Sequence, residues 1–165
     1  MTVIDAIKTR RSVRKYKPTP IEDEKLIAVL EAGRLSPSAR NQQEWRFIIV
    51  RDPALKQKMY EAAEQPSVES APAVLVAIAT GDIQMMCGGH TSAIDTSIAF
   101  TSMLLRAWEL GLGTCWLGRF DADKVKADLA LPESETVIAI TPIGYPDEVP
   151  EIRPRKTAEE IYKII

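Results

Sequence analysis

The sequence feature that most restricts the fold is an uninterrupted apolar run in the middle of the chain, Ala73-Val-Leu-Val-Ala-Ile-Ala79. A short run of this kind predicts a strand that is covered on both faces, so we expect it to be a central strand of a sheet. Two further strands are predicted, over about 46–51 and over Thr136–Ile143, where Pro142 indicates either an edge strand or the end of a strand. Gly111–Gly118 predicts a short fourth strand bounded by glycines.

Apolar residues at helical spacing predict about six helices around these strands. Val3, Ile4 and Ile7 form one stripe of the first helix, and a capping box at Thr19–Glu22 predicts the start of the second. The longest candidate, Ser92–Leu110, is apolar around much of its circumference, so it is either a central core helix or a helix buried against a second subunit. Because strands and helices do not alternate strictly, the pattern favours an α+β layer fold over a doubly wound parallel one.

Size and composition predict one domain over residues 1–165, with the 45% apolar and 27% charged content of an ordinary soluble protein. No apolar run reaches the roughly 18 residues that a membrane span needs, and the N-terminus shows no export signal. Cys87, Cys115 and the lone His90 form no zinc or disulfide pattern. We therefore expect a cytoplasmic protein without a metal centre and without a membrane partner.

The charge distribution predicts a discrete anion site near the N-terminus. The segment Lys8–Lys17 holds six cations and no acid, whereas the whole chain has 21 basic and 23 acidic residues. Arg10 and Arg14 are four residues apart, Ser12 adds a hydroxyl between them, and guanidinium groups match phosphate oxygens well. A solvated basic face at the end of an amphipathic helix is the equally weighted alternative for this segment.

Several familiar kinds of site are absent from the sequence. It has no GxxxxGK[ST] loop, no dinucleotide fingerprint and no nucleophile elbow that would supply a serine for a triad. Nucleic acid is a poor partner for an acidic chain whose basic segment has little aromatic content. What remains is an organic anion held by arginines, beside the amide- and hydroxyl-rich loop that precedes the strand at 46–51 and the glycine-bounded segment Gly111–Gly118.

At this point the chain resembles the FMN-dependent nitroreductases over nearly its whole length. The resemblance implies an α+β fold in which helices flank a central, mostly antiparallel sheet of four to five strands. It also implies a homodimer with two FMN sites at the interface, which would account for the apolar helix Ser92–Leu110. Five segments carry the resemblance: Arg10-Arg-Ser-Val-Arg14, Pro37-Ser-Ala-Arg-Asn-Gln-Gln-Glu-Trp45, Gly111-Leu-Gly-Thr-Cys-Trp-Leu-Gly118, Gly144-Tyr-Pro146 and the pair Arg153 and Arg155.

The resemblance implies a phosphate site built from both ends of the chain. Arg10 and Ser12 would hold the FMN phosphate, joined by Arg153 or Arg155. Arg14 would lie near the pyrimidine edge of the flavin, where a cation stabilises the negative charge of the reduced ring. The implied cofactor set also includes Arg11, for which exposure to solvent is the alternative.

Two other segments would contact the flavin ring. Pro37, Ser38 and Asn41 would contact it across the subunit boundary. The backbone at Leu117 and Gly118 would donate hydrogen bonds near the reactive nitrogen of the flavin. Trp116 belongs to the same cofactor-binding set, with core packing as the equally weighted alternative.

The activity implied is that of an FMN-dependent NAD(P)H oxidoreductase that reduces nitroaromatics, quinones or similar small acceptors by a ping-pong hydride mechanism. The cofactor carries the chemistry, so no catalytic side chain is expected. The same scaffold also serves dehalogenation, oxidation or flavin breakdown, and a non-catalytic flavin-binding protein is a further alternative.

Two features depart from the family pattern. Glu44 stands where many members have proline, and the Gly81–Thr91 connection is short where larger members carry an inserted helical segment. We therefore expect a compact member with a more open or differently covered site. The candidates for its lining are Met85, Met86, Cys87 and His90, with buried packing as the favoured alternative for the two methionines.

Overall fold

The computed structural model describes all 165 residues and places a four-stranded antiparallel sheet between two layers of helices. The strand order is β1-β2-β4-β3, so the predicted α+β architecture is confirmed. No helix combines the length and the apolar character that crossing a bilayer requires. The strands are β1 (Trp45–Val50), β2 (Ala73–Ala79), β3 (Gly113–Thr114) and β4 (Thr136–Gly144). The helices are α1 (Val3–Thr9), α2 (Asp23–Arg34), α3 (Pro53–Ala63), α4 (Pro66–Ser70), α5 (Thr91–Glu109), α6 (Ala122–Asp128) and α7 (Ala158–Ile161), with a 3₁₀ turn at Ala39–Asn41.

The apolar run that predicted a central strand is β2, and all of its residues are buried. It pairs with β1 on one side and with β4 on the other. Leu75 belongs to the core cluster on one face of the sheet and Val76 to the cluster on the other. Because successive side chains of a strand point to opposite faces, a strand with a core on both faces has to be apolar throughout.

Pro142 lies inside β4, shortly before its last residue Gly144, and β4 is not an edge strand. β4 lies inside the sheet, but β3 pairs with it only at Ile143 and Gly144, beyond the proline. On the other side Pro142 pairs with Val74 of β2. The sheet therefore has no β3 residue opposite Pro142, where proline has no N–H to donate.

Helix α5 is the central core helix, with Phe100, Met103 and Ala107 fully buried. Helix α2 packs across it at Gly33, where a Cβ would lie 2.6 Å from the Met103 Sδ. The opposite side of α5 leaves Ile98 41% exposed. The core-helix alternative is thus confirmed for one face of α5, and its other face remains uncovered in a single chain.

Two predictions about the N-terminal helices need correction. The capping box at Thr19–Glu22 was wrong, because α2 begins at Asp23 and the Glu22 side chain makes no cap hydrogen bond. The Glu22 carboxylate instead accepts a hydrogen bond from the Tyr145 hydroxyl at 2.5 Å, a partner 123 residues away. The apolar stripe of α1 exists, but it is exposed to solvent and only Ala6 of that helix is buried.

The bounds of β1, β2, β4 and α5 lie within one residue of the predictions. The glycine-bounded segment 111–118 is a strand only at β3. The segment between α3 and β2 contains the short helix α4.

Candidate functional site

The segment that follows α1 is extended and lies along the β3 edge of the sheet. Ser12 forms a parallel bridge with Thr114, and the Val13 N–H donates to the Thr114 carbonyl at 2.9 Å. Gly113 makes this approach possible, since a Cβ at that position would lie 2.7 Å from the Val13 Cβ. The Lys17 N–H then donates to the carbonyl of Tyr145. These contacts fix the basic segment against the part of the chain that leads into the C-terminal tail.

A cavity of about 530 Å³ lies where the two ends of the chain meet. We call it the cation cavity, because six of its lining residues are basic and one, Glu151, is acidic. It brings together six of the residues that were predicted to bind the cofactor, while Lys8, Ile7, Pro150 and Ile152 complete the lining. The six predicted residues are Arg10, Arg11, Ser12, Arg14, Arg153 and Arg155.

None of the six cations in the cation cavity forms an ion pair. Nine of the other lysines and arginines of the chain do form one. Burial, followed by the neighbouring charge of Arg155, lowers the pKa of the half-buried Arg10 guanidinium. Like charges that converge without carboxylate partners are unfavourable in the empty protein and favour an anion in the space between them.

Arg11 and Arg14 are also held by local backbone contacts. The Nη1 of Arg11 donates to the carbonyls of Lys8 (3.1 Å), Thr9 (2.6 Å) and Arg10 (2.9 Å), so the side chain caps the last turn of α1. The Nη1 of Arg14 donates to the Ser12 carbonyl at 3.2 Å. Arg11 thus lines the cation cavity and at the same time shapes the end of the helix that carries Arg10.

Two residues that the sequence analysis did not select also contribute to this end of α1. Lys8 lines the cation cavity from the last turn of the helix. The Trp108 indole N–H donates to the Thr9 hydroxyl at 2.9 Å and ties α1 to α5. The composition of the basic segment could have indicated Lys8, whereas the Trp108 contact spans 99 residues and leaves no local signal.

The backbone at Leu117 and Gly118 provides one free donor, not two. The Leu117 N–H donates to the Ile140 carbonyl at 2.9 Å, which corrects the prediction that it is available to a ligand. The Gly118 N–H has no acceptor within the chain, and no atom lies within 4 Å of the position of a Cβ there. Trp116 packs edge-to-face on Phe100 with ring centroids 4.8 Å apart, and it remains partly exposed.

The loop that contains Pro37, Ser38 and Asn41 does not line the cation cavity of the same chain. It is strained, because Asn41 and its neighbour Arg40 are both left-handed, with φ angles of 57° and 52°. The Ser38 hydroxyl accepts a hydrogen bond from the Gln43 N–H at 3.0 Å. The loop therefore has a defined shape but faces a different part of the surface.

A nearly buried carboxylate holds this loop on the start of α5. The Asp95 Oδ2 accepts a hydrogen bond from the Ala39 N–H at 2.9 Å, and the residue is 9% exposed. Its partner lies 56 residues away, so only the tertiary structure reveals the contact.

The Gly81–Thr91 connection is a short turn that lies beside this loop. Asp82 accepts the Ser92 N–H at 3.0 Å and lies 2.7 Å from the Nδ1 of His90. The hydrogen bonds from Ser92, followed by that from His90, lower the pKa of Asp82 to about 2. The Glu44 carboxylate lies so close to Gly81 that a Cβ there would be 2.4 Å from it.

The four residues named as candidates for a pocket lining do not enclose a cavity in a single chain. Met86 and Cys87 are exposed, Met85 and Gly89 pair through their backbones, and His90 extends from the turn with half of its side chain in solvent.

Comparison with known proteins places this arrangement among its relatives. The model of the nitroreductase family matches residues 7–82 and 62–145. An NADH dehydrogenase of Thermus thermophilus is 34% identical, with 84% of each chain covered.

Two solved structures show the same fold. A nitroreductase family protein of Clostridium difficile 630 is 29% identical, with a TM-score of 0.89 over 99% of this chain and 98% of that one. The NADPH:FMN oxidoreductase of Vibrio harveyi, in complex with NAD⁺, is 28% identical, with a TM-score of 0.88 over 98% of this chain but 76% of the other. The match therefore leaves about a quarter of the Vibrio protein without a counterpart in this chain. The family model and the Thermus relative show that the chain belongs to the nitroreductase family.

Proposed function

We propose that this protein is an FMN-dependent NAD(P)H oxidoreductase that reduces nitroaromatics, quinones or similar small electron acceptors in a ping-pong reaction. The observation that carries the proposal is the cation cavity, where six unpaired cations from the two ends of the chain converge. The relatives support it, since their names include NADH dehydrogenase and NADPH:FMN oxidoreductase.

The residues of the cation cavity fit a phosphate monoester. Arg10 is half-buried beside the charge of Arg155, and Ser12 offers a hydroxyl in the same lining. A phosphate carries about −1.5 to −2 charges at pH 7, so it would relieve the repulsion between the two guanidinium groups. In this proposal Arg10, Ser12 and Arg155 hold the FMN phosphate, and Arg153 assists from the rim.

Two further groups would position and polarise the ring. Arg14 projects from the same extended segment, and a cation at the pyrimidine edge stabilises negative charge there. The Gly118 N–H has no acceptor within the chain and would donate to the flavin ring. When bound, FMN supplies the hydride chemistry between a nicotinamide donor and the oxidant. We assign no side-chain acid or base to the reaction.

The proposed active assembly is a homodimer. A single chain leaves apolar side chains uncovered on α1 and on one side of α5, including Val3, Ile7, Ile94 and Ile98. Exposed apolar surface of this kind is typical of an interface. The loop with Pro37, Ser38 and Asn41 does not reach the cation cavity of its own chain, so in this proposal it contacts the flavin held by the other subunit.

Absorption spectroscopy and stopped-flow kinetics test the proposal together. The purified protein should be yellow, bind close to one FMN per chain and lose its flavin absorbance when mixed with NADH or NADPH. A reduced sample should regain that absorbance when a quinone or a nitroaromatic is added. Protein that binds flavin but is not bleached by either donor would be a flavin-binding protein and not a reductase.

A further inference from the structure

The single histidine of the chain is the outer member of a carboxylate–imidazole pair. The Asp82 Oδ2 lies 2.7 Å from the Nδ1 of His90, while its Oδ1 accepts the Ser92 N–H at 3.0 Å. The hydrogen bonds from Ser92, followed by that from His90, lower the pKa of Asp82 to about 2, so the carboxylate is ionised at neutral pH. An ionised carboxylate only accepts hydrogen bonds, and the Nδ1 of His90 therefore keeps its proton.

The other ring nitrogen is the one available for chemistry. The Nε2 of His90 forms no hydrogen bond within the chain, and 53% of the side chain is exposed. A carboxylate that fixes the tautomer of a histidine and leaves its second nitrogen free is the arrangement in which histidine exchanges protons with a ligand. Asp82 is thus a positioning residue, and the Nε2 of His90 is the site of proton exchange.

The backbone around His90 holds the imidazole in one place. His90 forms an antiparallel bridge with Gln84, and the Thr91 N–H donates to the Ile83 carbonyl at 3.0 Å. The Ile83 N–H donates in turn to the Thr91 hydroxyl at 2.8 Å. We call residues 82–92 the histidine hairpin. A side chain on paired backbone is held more precisely than one on an open loop, as proton transfer requires.

The histidine hairpin borders two surfaces that belong to the proposed dimer. The residue before it, Gly81, lies against the Glu44 carboxylate at the end of the loop that precedes β1, and the proposed function brings this loop to the flavin of the other subunit. Within the hairpin, a Cβ at Gly89 would lie 2.8 Å from the Cδ1 of Ile94, one of the apolar side chains that α5 leaves uncovered. His90 therefore lies at the edge of the proposed interface, beside the loop that would contact the flavin.

The half of the proposed reaction that reduces a quinone consumes a proton as well as a hydride. A quinone that accepts a hydride becomes an anion, and one proton on its oxygen converts that anion into the hydroquinone. The proposed function names no residue for this proton. We propose that the Nε2 of His90 donates it: the Nε2–H bond breaks, the O–H bond forms, and the imidazolium becomes a neutral imidazole that solvent reprotonates. This inference rests on the proposed function.

The step should slow as the pH rises, because only the imidazolium carries a proton on Nε2. The charged and titratable groups on the hairpin, on the loop before β1 and at the start of α5 are Asp82, Cys87, Arg40, Glu44 and Asp95. Only Asp82 forms a hydrogen bond or an ion pair with the imidazole. Histidine changes its charge between pH 5 and 8, so the rate constant for reoxidation by a quinone should fall across that range in the parent and stay level in His90→Gln.

Stopped-flow reoxidation of the reduced protein gives the kinetic test. His90→Gln should lower the rate constant for reoxidation by a quinone at least about tenfold, below the full effect of a positioned acid because the half-exposed site also admits solvent. Ferricyanide accepts electrons without a proton, so reoxidation by ferricyanide should not slow. Cys87→Ser, at an exposed position of the same hairpin, is the matched control and should change neither rate.

Nuclear magnetic resonance tests the same geometry without turnover. Because the chain has a single histidine, its two ring nitrogens give one unambiguous pair of signals. In the FMN-loaded protein the neutral ring should carry its proton on Nδ1, and Asp82→Asn should weaken that preference. Added hydroquinone, the product, should shift the Nε2 signal more than the Nδ1 signal.

The failures of the two proposals are distinguishable. Yellow protein that NADH or NADPH bleaches, but that a quinone reoxidises equally fast in the parent and in His90→Gln, overturns this inference and leaves the proposed function intact. An equal loss with ferricyanide, or a neutral ring protonated on Nε2, also overturns it. Protein that retains no flavin refutes the proposed function and this inference with it.

Discussion

Replacement of Arg10 by glutamine should weaken FMN binding without destabilising the empty protein. The charge of Arg10 favours FMN binding but disfavours the flavin-free folded state, because the guanidinium forms no ion pair with a carboxylate and is half-buried near Arg155. Burial and that neighbouring charge lower the pKa of Arg10, which means that the charged form is less favourable in the folded protein than in the unfolded chain. Removing the charge should therefore leave the stability of the flavin-free protein unchanged or raise it.

The loss of binding can be bounded from the chemistry of the contact. A hydrogen bond to a charged group contributes about 1.5–3 kcal/mol. Arg10 is only half-buried and shares the cavity with five other cations, so the lower part of that range applies. A loss of about 1.5–2 kcal/mol raises the dissociation constant for FMN about 10- to 30-fold.

Two measurements check this prediction. Titration of FMN with flavin-free protein, followed by FMN fluorescence, gives the dissociation constant. A thermal melt of the same flavin-free protein gives its melting temperature. The Arg10→Gln variant should bind FMN more weakly and melt at the same temperature as the parent or above it. Lys17→Gln, outside the cavity, should change neither value. Unchanged FMN affinity would remove Arg10 from the site, and a melt several degrees lower would refute the charge argument.

Three further predictions concern the supports of the site. Asp95→Ala removes the acceptor that holds the 37–41 loop, so it should lower the free energy of unfolding by about 1.5–3 kcal/mol in urea titrations and weaken FMN binding in FMN titrations. Asp95→Asn keeps an acceptor oxygen, so it should lose less stability and less FMN affinity than Asp95→Ala. The folded-state pKa of Asp82 is lowered to about 2, so the ionised carboxylate stabilises the folded protein fully above its ordinary pKa of 3.8. That stabilisation is lost as the pH falls towards 2. The parent should therefore lose more thermal stability than Asp82→Asn between those pH values, and parallel melting curves would contradict this. Gly113→Ala should lower the free energy of unfolding by about 1–3 kcal/mol, because the added Cβ would collide with Val13. Gly118→Ala, where no atom lies within 4 Å of the added Cβ, should change it by no more than about 0.5 kcal/mol in the same denaturant titrations. Equal losses in the two variants would refute the steric explanation.

The fold could be predicted from the sequence wherever a local pattern coincides with a buried face. Ala73–Ala79 is apolar throughout because it has a core on both sides, and the prediction of its bounds is confirmed. Asp52 and Asp121 cap α3 and α6 through local contacts of the kind that a sequence pattern contains, because each carboxylate accepts a hydrogen bond from an N–H close by in the chain.

Predictions failed where a distant partner determines the conformation. Thr19–Glu22 has the sequence of a capping box, yet Glu22 is engaged by Tyr145 and the helix starts after it. Leu117 was predicted to donate to a ligand, but Ile140 occupies its N–H. In both cases the competing contact comes from a segment far away along the chain, which no local pattern contains.

The same distinction applies to the candidate site. The basic segment predicted an anion site from composition alone, and the structure brings Arg10, Ser12 and Arg14 to one cavity with Arg153 and Arg155. The support that Asp95 gives to the 37–41 loop and the Trp108 contact to α1 depend on packing, and they could not be read from spacing.

The central claim is that the two ends of the chain hold the phosphate of one flavin, and a crystal structure of the FMN-loaded protein tests it most directly. We expect the phosphate in the cation cavity within hydrogen-bonding distance of Arg10 and Ser12, with Arg153 or Arg155 closing it from the other end. A flavin phosphate bound elsewhere, with the cation cavity filled only by solvent, would contradict the account.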